Sequence, residues 1–159
     1  MNISIRTAEK KDIEILIDFR FMYMTDVEGE LTEIKVSDIN SQLPEYFEKH
    51  IGNDFTAYIA EDNGKAVSVI FMVRLEKPAS VHFLSGSTCY LMNVYTIPEY
   101  RKLGIASRIL DRLIEDAESE GITCIDLSAT EMGKHVYLKK GFVERGNTEM
   151  RMELKKSED

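Results

Sequence analysis

Apolar and polar residues follow two different periods along this 159-residue chain, and each period predicts a different kind of element. The most regular helical stripe lies between residues 105 and 120. Its apolar side chains recur at spacings of three and one: Ala106, Ile109, Leu110, Leu113, Ile114 and Ala117. This spacing gives a helix one buried face. Gly121 follows the stripe and is expected to end the helix.

Three further helices are predicted from weaker patterns. The first spans about Lys10 to Met24 and carries apolar residues on one side: Ile13, Leu16, Ile17, Phe21 and Met24. After a polar stretch, the second spans Ser37 to His50, and Pro44 is expected to interrupt or bound it. A short helix around Glu131 to Lys140 is expected to stop at Gly141.

Strands are predicted where alternation replaces helical spacing. Residues 3–7 form the first strand. Residues 55–61 and 65–75 flank Asp62-Asn63-Gly64, and Asn-Gly is favoured in tight hairpin turns. Residues 88–97 are apolar on both faces, which indicates a central strand that is covered on each side.

The last part of the chain completes the predicted sheet. Residues 122–129 form another buried strand, and segments 142–145 and 150–154 predict a final hairpin. Residues 155–159 are expected to be solvated. The order β-α-α-β-β-β-α-β-α-β-β implies one α/β domain over residues 1–159, with a mixed sheet of about seven strands and helices on both faces.

Composition narrows the classes of function. The chain is 43% hydrophobic and 30% charged, as in ordinary globular proteins. No apolar run approaches the ~20 residues of a membrane span, and no signal peptide is expected. The net charge of −8 argues against a nucleic acid partner, which needs a basic surface. Cys89 and Cys124 are expected to be buried thiols in a reducing cytoplasm, without a zinc site.

The segment YRKLGIAS, Tyr100 to Ser107, joins strand 88–97 to helix 105–120 and permits three interpretations. It can be an ordinary turn in which Gly104 supplies an unusual backbone angle. Nucleotide binding is disfavoured, because neither G-x-x-x-x-G-K-[ST] nor G-x-G-x-x-G is present. It can also bind an anion, because the free N–H groups and the dipole of a helix N-terminus attract negative charge.

In this context the segment resembles the pyrophosphate loop of the GNAT superfamily of acyl-CoA-dependent N-acyltransferases. That loop reads (Arg/Gln)-x-x-Gly-x-(Gly/Ala) between the fourth strand and the third helix. Arg101, Gly104 and Ala106 occupy its three defining positions. Thirty residues downstream, Tyr137-x-x-x-Gly141-Phe142 is similar to the family's Tyr-x-x-x-Gly-Phe segment. Gly133 matches the small residue that commonly precedes this tyrosine by four.

The resemblance implies the GNAT fold, whose central strands splay apart to admit acetyl-CoA. It implies that the fourth-strand backbone lines the pantetheine arm, with Leu127 and Ser128 opposite, and that the loop binds the pyrophosphate. Arg101, Lys102 and Arg108 would form a basic patch for this polyanion. The implied cofactor-binding residues are Asn93, Val94, Tyr95, Thr96, Arg101, Lys102, Leu103, Gly104, Ile105, Ala106, Ser107 and Thr130, the last at a position where the family often has Asn.

The resemblance also implies an N-acetyltransferase that transfers the acetyl group directly to a primary amine. Tyr137 matches the position of the general acid in many family members, although a tyrosine there can also simply pack beside the cofactor. The base is left open among Glu28, Glu30, Tyr90 and Asn93, of which Asn93 can only orient a water. No Ser-His-Asp or Cys-His set is apparent, which disfavours a covalent acyl-enzyme.

The acceptor class is left open by the sequence. A small-molecule amine and a peptide or protein amine both suit the implied chemistry, and a homodimer is plausible for the family. The alternative function is a module of the same fold that binds or senses acyl-CoA without turnover. No metal, nucleic acid or membrane partner is expected.

Overall fold

The computed structural model describes residues 1–154, and within them the chain forms five strands and four helices. The strands are β1 Ile3–Thr7, β2 Phe55–Asp62, β3 Lys65–Glu76, β4 Ser87–Thr96 and β5 Cys124–Leu127. The helices are α1 Ile13–Glu28, α2 Glu33–His50, α3 Ile105–Ser119 and α4 Lys134–Lys139. The elements fall into two compact units: residues 1–128 contain the five strands and α1 to α3, and the unit that begins at Ala129 contains α4.

The sheet has the strand order β1-β2-β3-β4-β5. The first four strands are antiparallel, and β5 pairs in parallel with β4. Asn63 and Gly64 join β2 to β3 with φ angles of +50° and +85°, and two positive φ angles in a two-residue loop are those of a type I′ turn. The predicted hairpin and the mixed character of the sheet are therefore confirmed.

Helices cover both faces of the sheet, as the sequence predicts. Alternation along β2 sends Ala57 and Ile59 into a core with α1 and α2. It sends Tyr58 to the opposite face, where the phenol donates to the carboxylate of Asp116 in α3 (3.0 Å). The apolar stripe of α3 is buried there, through Ile105, Ile109, Leu110, Leu113 and Ala117. Burial of these two apolar layers is the main stabilising contribution to the fold.

The first two helices are longer than their patterns indicate. α1 continues to Glu28 and ends at Gly29, which has a φ of +80°. α2 begins four residues earlier than predicted, after Thr32, whose hydroxyl accepts the N–H of Lys35. Pro44 lies inside α2 without ending it. Proline removes one helical hydrogen bond, and the buried side chains of α2 on either side of it keep the helix against the sheet.

The expectation of about seven strands is not confirmed, because residues 142–154 contain no strand in the described part of the chain. The apolar side chains that suggested a hairpin are more than four-fifths exposed: Val143, Met150, Met152 and Leu154. Burial therefore does not offset the entropy cost of ordering this segment. Residues 155–159, expected to be solvated, lie outside the described residues.

Candidate cofactor-binding site

The loop between β4 and α3 is built from two left-handed residues. After a short 3-10 turn at Pro98–Tyr100, Lys102 has a φ of +62° and Gly104 a φ of +74°. Gly104 is the residue that precedes the first turn of α3. A Cβ placed on Gly104 would meet no atom within 4 Å. Glycine is thus favoured there by its backbone angle, and the space beside Gly104 is open.

Four consecutive backbone amides of this loop are unpaired. The first hydrogen bond of the helix runs from the N–H of Arg108 to the carbonyl of Gly104 (3.1 Å). The N–H groups of residues 104–107 find no acceptor among residues 1–154. They lie at the positive end of the dipole of a 15-residue helix. This arrangement suits an anion with several oxygens, such as a phosphate group.

The arginines around the loop are bound to backbone carbonyls. Arg101 donates through Nε to the carbonyl of Thr96 (2.8 Å), and its guanidinium lies 5.3 Å from the ring centre of Tyr95. Arg108 donates through Nη2 to the carbonyl of Ile3 (3.2 Å). The expected basic patch is thus partly engaged in closing the loop. Lys102 is an exposed cation there and has no ion-pair partner in the described part of the chain.

Strand β4 loses its β5 neighbour halfway along its length. The last parallel pair joins Leu91 to Leu127, and β4 continues to Thr96. Against β3 the register slips by one residue, because Phe71 faces Met92 while Val69 faces Tyr95. This slip is a β-bulge in β4. Residues 92–96 therefore have no strand on the β5 side among the described residues, which leaves a backbone edge that an extended ligand can pair with.

The side chains at the bulge point into the protein. Asn93 is 1% exposed and has a φ of +55°. Its Nδ2 donates to the carbonyl of Phe19 (3.3 Å), and its Oδ1 accepts from Arg20 (3.4 Å). Tyr95 packs edge-to-face on Phe19, with ring centres 6.0 Å apart. For Asn93, the backbone is therefore the part that remains available to a ligand.

Tyr137 is held tightly within the second unit. It is 8% exposed, and its ring packs edge-to-face on Phe142 at 5.8 Å. Gly141 has a φ of +94°, and the turn there lets the N–H of Phe142 donate to the carbonyl of Tyr137 (3.1 Å). A Cβ on Gly133 would lie 3.5 Å from the tyrosine ring, so a small residue fits best. Thr130 accepts the N–H of Gly133 through its hydroxyl (3.2 Å), a role the sequence pattern did not indicate.

A cleft of about 560 Å³ lies between α1 and β4. It is lined by Asp18, Phe21, Met22, Thr25, Asp26 and Tyr95. The Asp26 carboxylate is 3.4 Å from Arg101, whereas Asp18 has no cation beside it among residues 1–154. The volume suits a small molecule. Sequence reasoning missed Asp18 and Asp26, because acidic residues on the polar side of a helix are usually only solvated.

The candidate bases lie at two separate places. Tyr90 donates to the hydroxyl of Ser128 (3.0 Å), just after the end of β5. Glu28 and Glu30 are exposed at the end of α1 and just beyond it. Within the described residues, no group of three or more His, Cys, Asp or Glu side chains is arranged to hold a metal ion. No helix among them has the length and apolarity to span a bilayer.

Comparison with known proteins gives a consistent result. The profile of the acetyltransferase (GNAT) family matches residues 22–142. A predicted acetyltransferase with acetyl-CoA from Clostridium acetobutylicum is 33% identical, with a TM-score of 0.81 over 97% of this chain and 96% of that chain. A GCN5-related N-acetyltransferase from Ralstonia eutropha shares the fold, with 19% identity and a TM-score of 0.81 over 95% of this chain and 99% of that chain. No curated protein sequence matches the chain.

Proposed function

Because the chain belongs to the acetyltransferase (GNAT) family, we propose that it transfers the acetyl group of acetyl-CoA directly to a primary amine. The observation that carries this proposal is the loop before α3, where the amides of residues 104–107 have no acceptor among residues 1–154 and the space beside Gly104 is open. The similar Clostridium acetobutylicum structure contains acetyl-CoA, which supports the same cosubstrate here.

The residues present fit coenzyme A. The four amides and Lys102 suit the pyrophosphate oxygens. The free edge of β4 at residues 92–96 suits the amide groups of the pantetheine arm. When bound, acetyl-CoA supplies a thioester: the amine nitrogen forms a bond to its carbonyl carbon, the carbon–sulfur bond breaks, and the sulfur leaves as a thiolate.

The protein has three tasks in this reaction. The N–H of Val94, or of a neighbour on β4, hydrogen-bonds the carbonyl oxygen as negative charge develops there. A base, acting through water, takes the proton of the ammonium, because an amine of pKa ~10.4 is neutral in only about one molecule in a few thousand at pH 7. The phenol of Tyr137 gives its proton to the sulfur, and water restores it. A direct transfer needs no covalent enzyme intermediate.

We place the acceptor in the cleft between α1 and Tyr95. The carboxylate of Asp18, which has no ion-pair partner among residues 1–154, favours a cationic amine, and the rings of Phe21 and Tyr95 can cover the apolar part of that amine. A small-molecule amine and the amine end of a peptide both suit this lining. Asp18→Asn is therefore expected to raise the KM of the amine and to leave the KM of acetyl-CoA unchanged.

The experiment that tests the function is an amine panel in which the release of coenzyme A thiol is measured. Peptides, polyamines and aminoglycosides are included. Tyr137→Phe is expected to lower kcat by about 10²-fold or more, with little change in the KM of acetyl-CoA. Tyr58→Phe is the matched control, because among the described residues its phenol hydrogen-bonds only to Asp116.

Two outcomes would contradict the proposal. Unchanged turnover in Tyr137→Phe would remove the proposed acid. Saturable binding of coenzyme A, seen as a thermal shift, without product from any amine would identify an acyl-CoA-binding or sensing module instead.

A further inference from the structure

Arg20 of α1 is a half-buried cation that has no neutralising carboxylate among residues 1–154. No carboxylate lies within ion-pair distance of its guanidinium in the described part of the chain, whereas Arg6 pairs with Asp12 and Arg74 with Glu120. Its contacts are the Asn93 side chain, at 3.4 Å, and the ring of Tyr23, whose centre lies 5.9 Å away. Burial lowers the pKa of Arg20, but a guanidinium stays protonated at neutral pH. A charge kept in such surroundings costs free energy, so its position calls for an explanation.

The contact between Arg20 and Asn93 explains this position. Asn93 uses both ends of its amide on α1: it donates to the carbonyl of Phe19 and accepts from Arg20. It is buried, and it carries the left-handed backbone angle at the bulge. Two consecutive residues of α1 therefore fasten the one irregular point of β4. The bulge lies just past Leu91, where β4 loses its β5 partner.

We propose that Arg20 is a positioning residue for acyl transfer, which acts through Asn93 on the backbone of β4. It fixes the bulge so that the next amide, that of Val94, is aimed along the free edge of the strand. Its unneutralised charge favours the negative charge that develops at that edge during the reaction. This inference rests on the proposed function. Arg20 is not assigned any contact with the substrate or the cofactor.

The inference predicts an effect on kcat rather than on binding. A fixed positive charge in a site of low dielectric stabilises charge that appears only in the transition state. Arg20→Met keeps the apolar stem and removes the charge. It is expected to lower kcat by about tenfold or more, with the KM of acetyl-CoA nearly unchanged. Arg20→Lys restores the positive charge but not the planar guanidinium group, and it is expected to recover part of the lost kcat.

A second variant tests the link through Asn93. Asn93→Asp keeps an acceptor for Arg20 and tolerates the left-handed angle, but it removes the donor to the Phe19 carbonyl. It neutralises the charge of Arg20 and also releases one of the two contacts with α1, so kcat is expected to fall in this variant as well. Arg112→Met is the control, because Arg112 is on α3 and pairs with Asp116 on its own helix. Urea unfolding of each variant shows whether the protein is still folded.

Hydrogen exchange of the β4 amides gives a readout that does not need turnover. Arg20→Met is expected to raise the exchange rates at residues 92–96 and to leave those of β2 unchanged. The inference is wrong if a folded Arg20→Met protein keeps both its kcat, within about twofold, and its exchange rates. If the wild-type protein binds coenzyme A but acetylates no amine, the proposed function fails, and the exchange rates alone decide whether Arg20 positions the bulge.

Discussion

At the scale of single residues, Gly86 is the position where a side chain is least tolerated. Its φ is +73°, and a Cβ would overlap the carbonyl oxygen of Lys77. The N–H of Lys77 also donates to the carbonyl of Gly86 (2.9 Å), so both backbones are fixed. Gly52 has a similar φ of +83°, but a Cβ there would meet nothing.

We expect Gly86→Ala to lower the free energy of unfolding by about 3 kcal/mol or more, and Gly52→Ala by about 1 kcal/mol. Both positions have a similar backbone angle, so the difference between the two losses of free energy measures the cost of the steric overlap at Gly86. Urea denaturation of both variants measures it. Equal losses would mean that the loop moves aside at no cost.

The sequence could identify residues by type but not by direction. Arg101 is predicted to belong to a basic patch for the cofactor, and in the structure its guanidinium lies against Thr96 and Tyr95. Asn93 is predicted to line the pantetheine arm with its backbone, and its side chain joins β4 to α1. A motif fixes which residue stands at a position, whereas the path of the backbone decides where its side chain points. The bulge in β4 depends on strand register, which no local pattern records.

At the scale of elements, the two ends of α3 offer a matched comparison. Gly104 and Gly121 both have positive φ angles, +74° and +77°, and neither Cβ would meet another atom. Alanine at either position should cost about 1 kcal/mol of stability through its backbone angle. At Gly104, the backbone relieves that strain by rotating, and this rotation also turns the amides of residues 104–107.

Gly104→Ala is therefore expected to raise the Kd of coenzyme A by about tenfold, while Gly121→Ala leaves it unchanged. Isothermal titration of the folded variants measures both constants. A similar loss of affinity in both variants would show that the effect comes from general destabilisation and would argue against the loop as the binding element.

Elements with strong periodicity were predicted well. The stripe of α3 and the Asn63-Gly64 turn are found as expected, because each rests on a single dominant local preference. The ends of α1 and α2 were missed, since helix boundaries depend on caps and on tertiary packing. The last hairpin was predicted from alternation alone, and its apolar residues are exposed.

At the scale of the whole molecule, stability is linked to alkaline pH through Cys89. This thiol is fully buried, and burial raises its pKa to about 12. In the unfolded chain it ionises near pH 8.5. Between these values the folded state binds one proton more than the unfolded state, so stability is fully present below pH 8.5 and declines as the pH rises.

The expected decline from this group is about 1.4 kcal/mol per pH unit above pH 9. Cys89→Ala should flatten the stability profile between pH 8.5 and 10, whatever its effect at pH 7. Identical slopes in wild type and Cys89→Ala, measured by urea unfolding at each pH, would assign the decline to other groups.

The general architecture was predictable, because strands that are apolar on both faces require helices on both sides. The place where the sheet opens does not follow from the apolar pattern, because it depends on how far β5 follows β4; only the family resemblance points to residues 93–96. That length is a tertiary property: β5 is only four residues long, although its pattern suggested eight. The topology of the sheet therefore determines where the candidate cofactor site lies, and the sequence motifs identify its residues.

The bond from Arg101 to Thr96 has a consequence for natural variation at this position. The family pattern admits Arg or Gln as the first residue of the loop, a pair that differs in charge. Both side chains carry a planar N–H donor on a flexible stem, which is what the carbonyl of Thr96 accepts here. Closure of the loop through Thr96 is thus compatible with either side chain, and the backbone amides that we propose for the anion are not removed by a substitution at this position.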